Sequence, residues 1–223
     1  MKYPLLASLL CLFAGPLQAQ DSTSYHLLSL KLSPLAYFNV QTPCIQPGIE
    51  LRLLSQLGIQ AEYGFQCNRF APFDLSSERK DWKYHRLKAE LRYYFPLAKR
   101  MESFIGLGVF EVRQRYSKLN SRMQRSNGSY FDYDQSDIRR DTWGGLGKFG
   151  FTMSSAKHFS LEIIVGVGAK GVVISQDLTN PMASSFNPPA EYFPKKDERE
   201  GSWTIPIVGF EIMLGYTIFP TKK

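Results

Sequence analysis

Arg86-Leu87-Lys88-Ala89-Glu90-Leu91-Arg92-Tyr93-Tyr94-Phe95 alternates without a break. Leu87, Ala89, Leu91, Tyr93 and Phe95 fall on one side of an extended chain, and Arg86, Lys88, Glu90, Arg92 and Tyr94 fall on the other. Successive strand side chains point to opposite faces, so each face acquires one character. A helix would scatter the same charges around its axis. The segment therefore reads as a strand with one greasy face and one ionic face.

The same period of two returns on both sides of it. Ile49, Leu51 and Leu53 alternate with Gly48, Glu50 and Arg52. Beyond a tight connection near Leu57-Gly58, the series Ile59, Ala61, Tyr63 and Phe65 alternates with Gln60, Glu62, Gly64 and Gln66. Later, Phe159, Leu161, Ile163, Val165, Val167 and Ala169 oppose Ser160, Glu162, Ile164, Gly166, Gly168 and Lys170. Near the end, Phe210, Ile212, Leu214, Tyr216 and Ile218 oppose Gly209, Glu211, Met213, Gly215 and Thr217. Weaker versions run from Tyr25 to Ser33, Phe104 to Tyr116 and Thr142 to Met153. Glu111 falls in phase with Ile105, Leu107 and Val109, which requires a bulge or an early exit from the apolar zone. Eight strands result, each near the roughly nine to eleven residues that a tilted strand uses to cross a bilayer.

Connection lengths alternate too. Short connections fall at Ser55 to Leu57, Pro96 to Glu102 and Ser154 to Lys157. Longer polar ones cover Pro34 to Gln46, Cys67 to Lys83, Ser117 to Asp141 and Ser175 to Ser202. An outer-membrane barrel has an even strand number, short periplasmic turns and long external loops. The start of the chain agrees, with Lys2, an apolar run from Pro4 to Gly15, and Pro16-Leu17-Gln18-Ala19 ahead of Gln20. That layout is a secretory signal peptide over 1–19, and Cys11 belongs to the discarded segment. Residues 20–223 then form one domain, because no linker or low-complexity tract divides them.

Alternation alone does not say which face is outside, because a soluble lipocalin-like binding barrel turns its apolar face inward and a membrane barrel turns it outward. Lys31, Glu50, Arg52, Glu62, Lys88, Glu90, Arg92, Lys148, Glu162, Lys170 and Glu211 all lie on the polar face. Both signs occur in similar numbers, as a charge-paired interior demands. Tyr93, Phe95, Phe151, Phe159 and Tyr216 gather on the apolar face at the short-turn rim, where an interfacial aromatic girdle belongs. The sequence thus predicts an all-β fold, an eight-stranded antiparallel transmembrane up-and-down β-barrel in the cell outer membrane. Eight strands enclose little beyond their own side chains, so an open diffusion channel is not expected.

The formal charge is +7 and falls by one when Lys2 leaves. In an exported chain an anionic lipid surface is the fitting partner rather than nucleic acid. Basic residues in the long connections, among them Arg69, Arg79, Lys80, Lys83, Arg122, Arg125, Lys195 and Lys196, suit the phosphates of lipopolysaccharide. The chain is expected to be a monomer that meets any envelope protein partners through these loops. Cys44 and Cys67 fall on the same rim in neighbouring hairpins, where a disulfide would tie two loops together. No cofactor motif and no clustered metal ligands are present.

The run from Arg86 to Pro96, the Gly106-Leu107-Gly108 step and the closing Leu214-Gly215-Tyr216-Thr217-Ile218-Phe219 resemble uncharacterised outer-membrane barrel proteins of Bacteroidota. The layout is more distantly similar to the small OmpA- and OmpX-type barrels. The resemblance implies a barrel and no particular reaction. One departure is the tail Pro220-Thr221-Lys222-Lys223 after Phe219, since insertion signals of this class end on the aromatic itself.

Three clusters offer chemistry. His158 and Ser160, with Glu162 beyond them, resemble the His-x-Ser arrangement of outer-membrane lipid A deacylases and define an enzymatic alternative. The strand pattern instead puts them at the periplasmic turn on the interior face, away from acyl chains. His85 with Asp81 and Asp74 resembles the rim of omptin-type proteases but lacks their motif. Asp132, Asp134, Asp137 and Asp141 suggest a calcium loop, yet counting from Asp132 the sixth and twelfth places hold Asp137 and Trp143 rather than Gly and Glu. Pairing with Arg122, Arg125, Arg139 and Arg140 accounts for these aspartates without a metal. The expectation is a non-enzymatic protein with a structural or surface-interaction role.

Overall fold

A computed structural model describes residues 26–39, 42–67, 79–98, 100–124, 130–154, 158–184 and 200–220. The signal-peptide segment, its cleavage point, Cys11, Arg69, Asp74, Arg125, Lys195, Lys196 and the tail from Thr221 lie outside the described residues. The strands are β1 (His26–Leu32), β2 (Cys44–Ile45), β3 (Pro47–Arg52), β4 (Leu57–Gln66), β5 (Lys80–Ala98), β6 (Met101–Gln124), β7 (Tyr130–Ser154), β8 (Phe159–Thr179), β9 (Met182–Ala183) and β10 (Gly201–Pro220). Eight of them pair antiparallel in the order β1-β3-β4-β5-β6-β7-β8-β10, and β10 pairs back onto β1. β2 only extends β4, and β9 only adds to β7. The sheet is therefore a closed ring in which each strand neighbours the next one in the chain.

Register fixes which face looks inward. At the closure, Leu30 pairs with Tyr216 and Leu32 with Leu214, while Lys31 pairs with Gly215. Greasy residues thus share one row and the inner face keeps the charge. Exposure follows the same division, with Leu107 at 71% and Val208 at 84% against Arg92 and Glu162 at 0%. In the half nearest the short turns this is the reverse of a lipocalin-like arrangement.

Glycine makes room where aromatic rings point inward. Phe104 pairs with Gly150 and Phe110 with Gly144. A Cβ at Gly144 would lie 2.8 Å from the Phe110 ring, and one at Gly150 would meet the Phe104 ring more closely still. Each ring occupies space that a larger neighbour would take.

One expectation resolves between its alternatives, and two need correction. β6 and β7 run in unbroken register from Met101 opposite Met153 to Leu119 opposite Gln135, so no bulge absorbs Glu111. Glu111 is instead an early exit from the apolar zone, held by Arg113 at 2.6 Å. The span Ser117 to Asp141 is mostly a continuation of β6 and β7 rather than a loop, and β8 likewise runs on to Thr179. Finally, the connection after β1 turns inward. Pro34 starts a short 3-10 turn over Pro34–Ala36, and Ala36, Thr42, Cys44 and Gln46 are all buried. Proline's fixed φ suits that first turn.

Candidate functional site

The inner half nearest the short turns is a single chain of alternating charges. Arg52 meets Glu50 at 3.7 Å, and Glu50 meets Lys31 at 2.9 Å. Lys31 also holds Glu162, whose other oxygen lies 2.8 Å from Arg92 Nη1. Arg92 Nε donates to Glu90 at 2.8 Å, and Glu90 in turn accepts from Lys148 at 2.7 Å. Lys148 reaches Glu211 at 3.1 Å, Glu211 reaches Lys88 at 2.7 Å, and Lys88 lies 3.9 Å from Glu62. Five cations and five carboxylates thus alternate from end to end, contributed by seven strands of the ring.

Neutral groups complete the chain. Tyr94 donates its hydroxyl to Glu50, and its ring lies 3.5 Å beneath the Arg52 guanidinium. Gln46 and Gln60 both donate to Glu62. Arg92 stacks over Phe104 at 4.3 Å. Arg52 also grips Glu102 through both terminal nitrogens, at 3.1 and 2.5 Å, a bidentate geometry that lysine could not reproduce. Burying ions is costly, and pairing with extra hydrogen bonds offsets that cost.

Of the eleven interior positions read from the sequence, Lys31, Glu50, Arg52, Glu62, Lys88, Glu90, Arg92, Lys148, Glu162 and Glu211 are members of this chain. Lys170 lies farther from the short turns and lines the same cavity as Arg86 and Glu211. Sequence reasoning missed Glu102, which the pattern assigns to the Pro96 to Glu102 connection and the structure places at the start of β6. It also missed Gln46, delivered by the infolded segment after β1.

The enzymatic cluster does not assemble. The His158 ring stacks on outward-facing Tyr216 at 5.5 Å, and its Nδ1 lies 3.0 Å from the Thr217 carbonyl oxygen. Ser160 packs its hydroxyl over Gly215 beside Lys31, and Glu162 is committed to Lys31, Arg92 and Thr152. The expectation that both His158 and Ser160 face the interior is corrected for the histidine. At the other rim, His85 stacks on Tyr63 at 6.4 Å. The aspartates bind neighbours: Asp132 to Arg122, Asp137 to Ser117, Asp141 to Arg139 and Asp134 to Asn180. The Arg122 hydrogen bond holds the Asp132 carboxyl below its ordinary value, and the Ser117 hydroxyl does the same for Asp137.

Cys44 and Cys67 stand as free thiols in this structure. They lie one register step apart, with Cys44 opposite Gln66 and the Cys67 amide donating to the Pro43 carbonyl at 3.3 Å.

On the outer face, Tyr93–Phe95, Phe149–Phe151 and Phe159–Tyr216 form edge-to-face pairs with centroids 4.9, 4.8 and 5.2 Å apart. All three stand at the short-turn rim. Trp143, 62% exposed, stands opposite Glu111 at the other edge of the greasy zone.

The model of a family described as a protein of unknown function, DUF3575, matches residues 8–217. No curated protein matches the chain. Among solved structures, the crystal structure of CarO from Acinetobacter baumannii is similar at 11% identity, covering 86% of this chain and 98% of that one with a TM-score of 0.41.

Proposed function

We propose that this chain, which belongs to the DUF3575 family of proteins of unknown function, is a monomeric transmembrane β-barrel of the bacterial outer membrane. Its interior is closed, and its role is structural or surface-interacting, carried by the segments beyond the long rim. It catalyses no reaction. Lipopolysaccharide phosphates are the partner for its basic outer segments.

One observation carries this reading, a reversal of polarity along single strands. On β6, Ile105, Leu107 and Val109 face outward, and then Glu111, Arg113 and Arg115 take the same face. On β7 the same row passes from Phe151 and Phe149 through Trp143 to Asp141 and Arg139. The inner face gains apolar residues in the same direction, Val112, Tyr116, Ile138, Val172 and Ile174, beside buried Gln114, Ser136 and Arg140. Water outside favours apolar side chains within, whereas hydrocarbon outside removes that preference. A boundary between two media at the level of Glu111 and Asp141 explains both changes at once. A closed ring also leaves no unpaired strand edge facing lipid.

The test is insertion. The folded chain in vesicles should have Trp143 quenched most by lipids brominated high on the acyl chain, near the interface. It should fractionate with the outer membrane and change gel mobility on heating. Recovery in the soluble fraction, or Trp143 emission indifferent to brominated lipid, would refute the reading. Large stable conductance steps in planar bilayers would refute the closed interior.

A further inference from the structure

Beyond the ionic chain, toward the long rim, lies a half-open cavity of about 340 Å³. That lies within the range of roughly 300–1,000 Å³ typical of small-molecule sites. Farther toward the rim it is followed by an apolar layer of Ala36, Trp82, Tyr84, Tyr116, Ile138 and Ile174. The cavity is therefore set between a charged floor and a greasy roof.

Its wall carries Arg86, Lys88 and Lys170 against one carboxylate, Glu211. Lys88 and Glu211 already satisfy each other at 2.7 Å. Arg86 differs. Its terminal nitrogens donate to Thr42 Oγ1 at 2.5 Å and Gln46 Oε1 at 3.3 Å, both neutral, and none of its partners among the described residues is a carboxylate. Its Nε is buried without a hydrogen-bond partner among the described residues. On the neighbouring strand, two residues beyond the Val112 that pairs with Arg86, Gln114 is 3% exposed and its buried Oε1 has no partner among the described residues. Buried polar atoms are ordinarily satisfied, and a half-buried guanidinium with only neutral partners can take a counter-charge. The remaining wall is greasy, formed by Phe110, Val112, Leu146 and Ile207.

We propose that this cavity binds a small organic anion, a carboxylate or phosphate monoester on a compact apolar body. The anionic group accepts from Arg86, the body packs among Phe110, Val112, Leu146 and Ile207, and a hydroxyl or amine on the ligand can donate to Gln114. Guanidinium is suited to both acids because its planar donors match two oxygens together. The site depends only on the inner face, so it stands or falls separately from the medium that wets the outer one.

Fluorine NMR of the full chain folded in nonionic detergent micelles tests it, with 4-fluorobenzoate and 4-fluorophenyl phosphate as probes. At least one should bind saturably above an empty-micelle background. Arg86→Gln should weaken that binding about tenfold or more, as expected for loss of a charged hydrogen bond. Neutral 4-fluorobenzyl alcohol should bind weaker by a similar factor. Leu146→Trp and Ile207→Trp, which fill the space without touching the charge, should abolish binding. They carry the test if Arg86→Gln fails to show heat-modifiable mobility. Neither probe exceeding background, equal binding of the alcohol, or undiminished binding in the filled variants would each overturn the proposal.

Discussion

The two halves of this tube are built on opposite rules. Near the short turns, ions such as Arg92 and Glu162 are sealed inside and Leu107 and Val165 face out. Near the long rim, Ile138, Val172 and Ile174 are sealed inside, and Arg113 and Arg139 face out. The backbone ladder does not change between them, since β6 and β7 keep one register throughout. Side-chain polarity in a sheet is thus set by what lies on its two sides, not by the strand itself. The lower half depends chiefly on ion pairing around a small apolar cluster, and the upper half adds a larger apolar layer beside buried polar groups.

The sharpest way to break that contrast is to unpair the lower half. Arg92→Leu strands Glu162 and Glu90 without their shared cation and should cost about 3–5 kcal/mol in urea unfolding from lipid vesicles. A cost under about 1 kcal/mol would mean that the ionic chain contributes little. Next in size is the outer face. Leu107→Arg, in the middle of the greasy zone, should cost roughly 2–4 kcal/mol, while Arg113→Leu on the same strand should stay within about 0.5 kcal/mol. Equal effects would erase the boundary at Glu111.

Smaller effects sharpen the picture inside each half. Gly150→Ala drives a methyl into the Phe104 ring and should cost about 1–3 kcal/mol as overpacking. Ile174→Val in the upper apolar layer should cost about 1 kcal/mol. The least is expected at the exposed tip of the β6–β7 hairpin. Asp132 is held below its ordinary value by Arg122, so its contribution is present above the unfolded carboxylate range and disappears as pH falls through the lowered folded value. Exposure limits that contribution to a few tenths of a kcal/mol. Amide protection around Arg122 and Asp132, measured against the intrinsic exchange rate at each pH, should fall below about pH 4, and Arg122→Ala should abolish that dependence.

Much of this was legible beforehand, for a physical reason. From Arg86 to Phe95 the contrast between faces is maximal, so a period of two identifies both the strand and its inner charges. That contrast placed ten members of the ionic chain on one face before any contact was known. It could not say that Arg92 meets Glu162, because that encounter depends on the stagger accumulated around the ring. The upper halves of β6, β7 and β8 escaped notice because the phase inverts near Glu111. Tyr116 and Ile138 occupy the face that held charge below, so a pattern sought in one phase dissolves there. The inward course of Pro34–Ala36 and Gln46 has no period at all, and Arg86 could be placed on the inner face but not seen to lack a carboxylate.

The Phe104 ring lies over Gly150, and Phe110 over Gly144, each pair spanning β6 and β7. Two positions that share one volume are not free to vary separately. A descendant of this chain could admit alanine at 150 only after residue 104 had shrunk, so across the family the two sites should be inherited as a couple and drift in size with opposite sign.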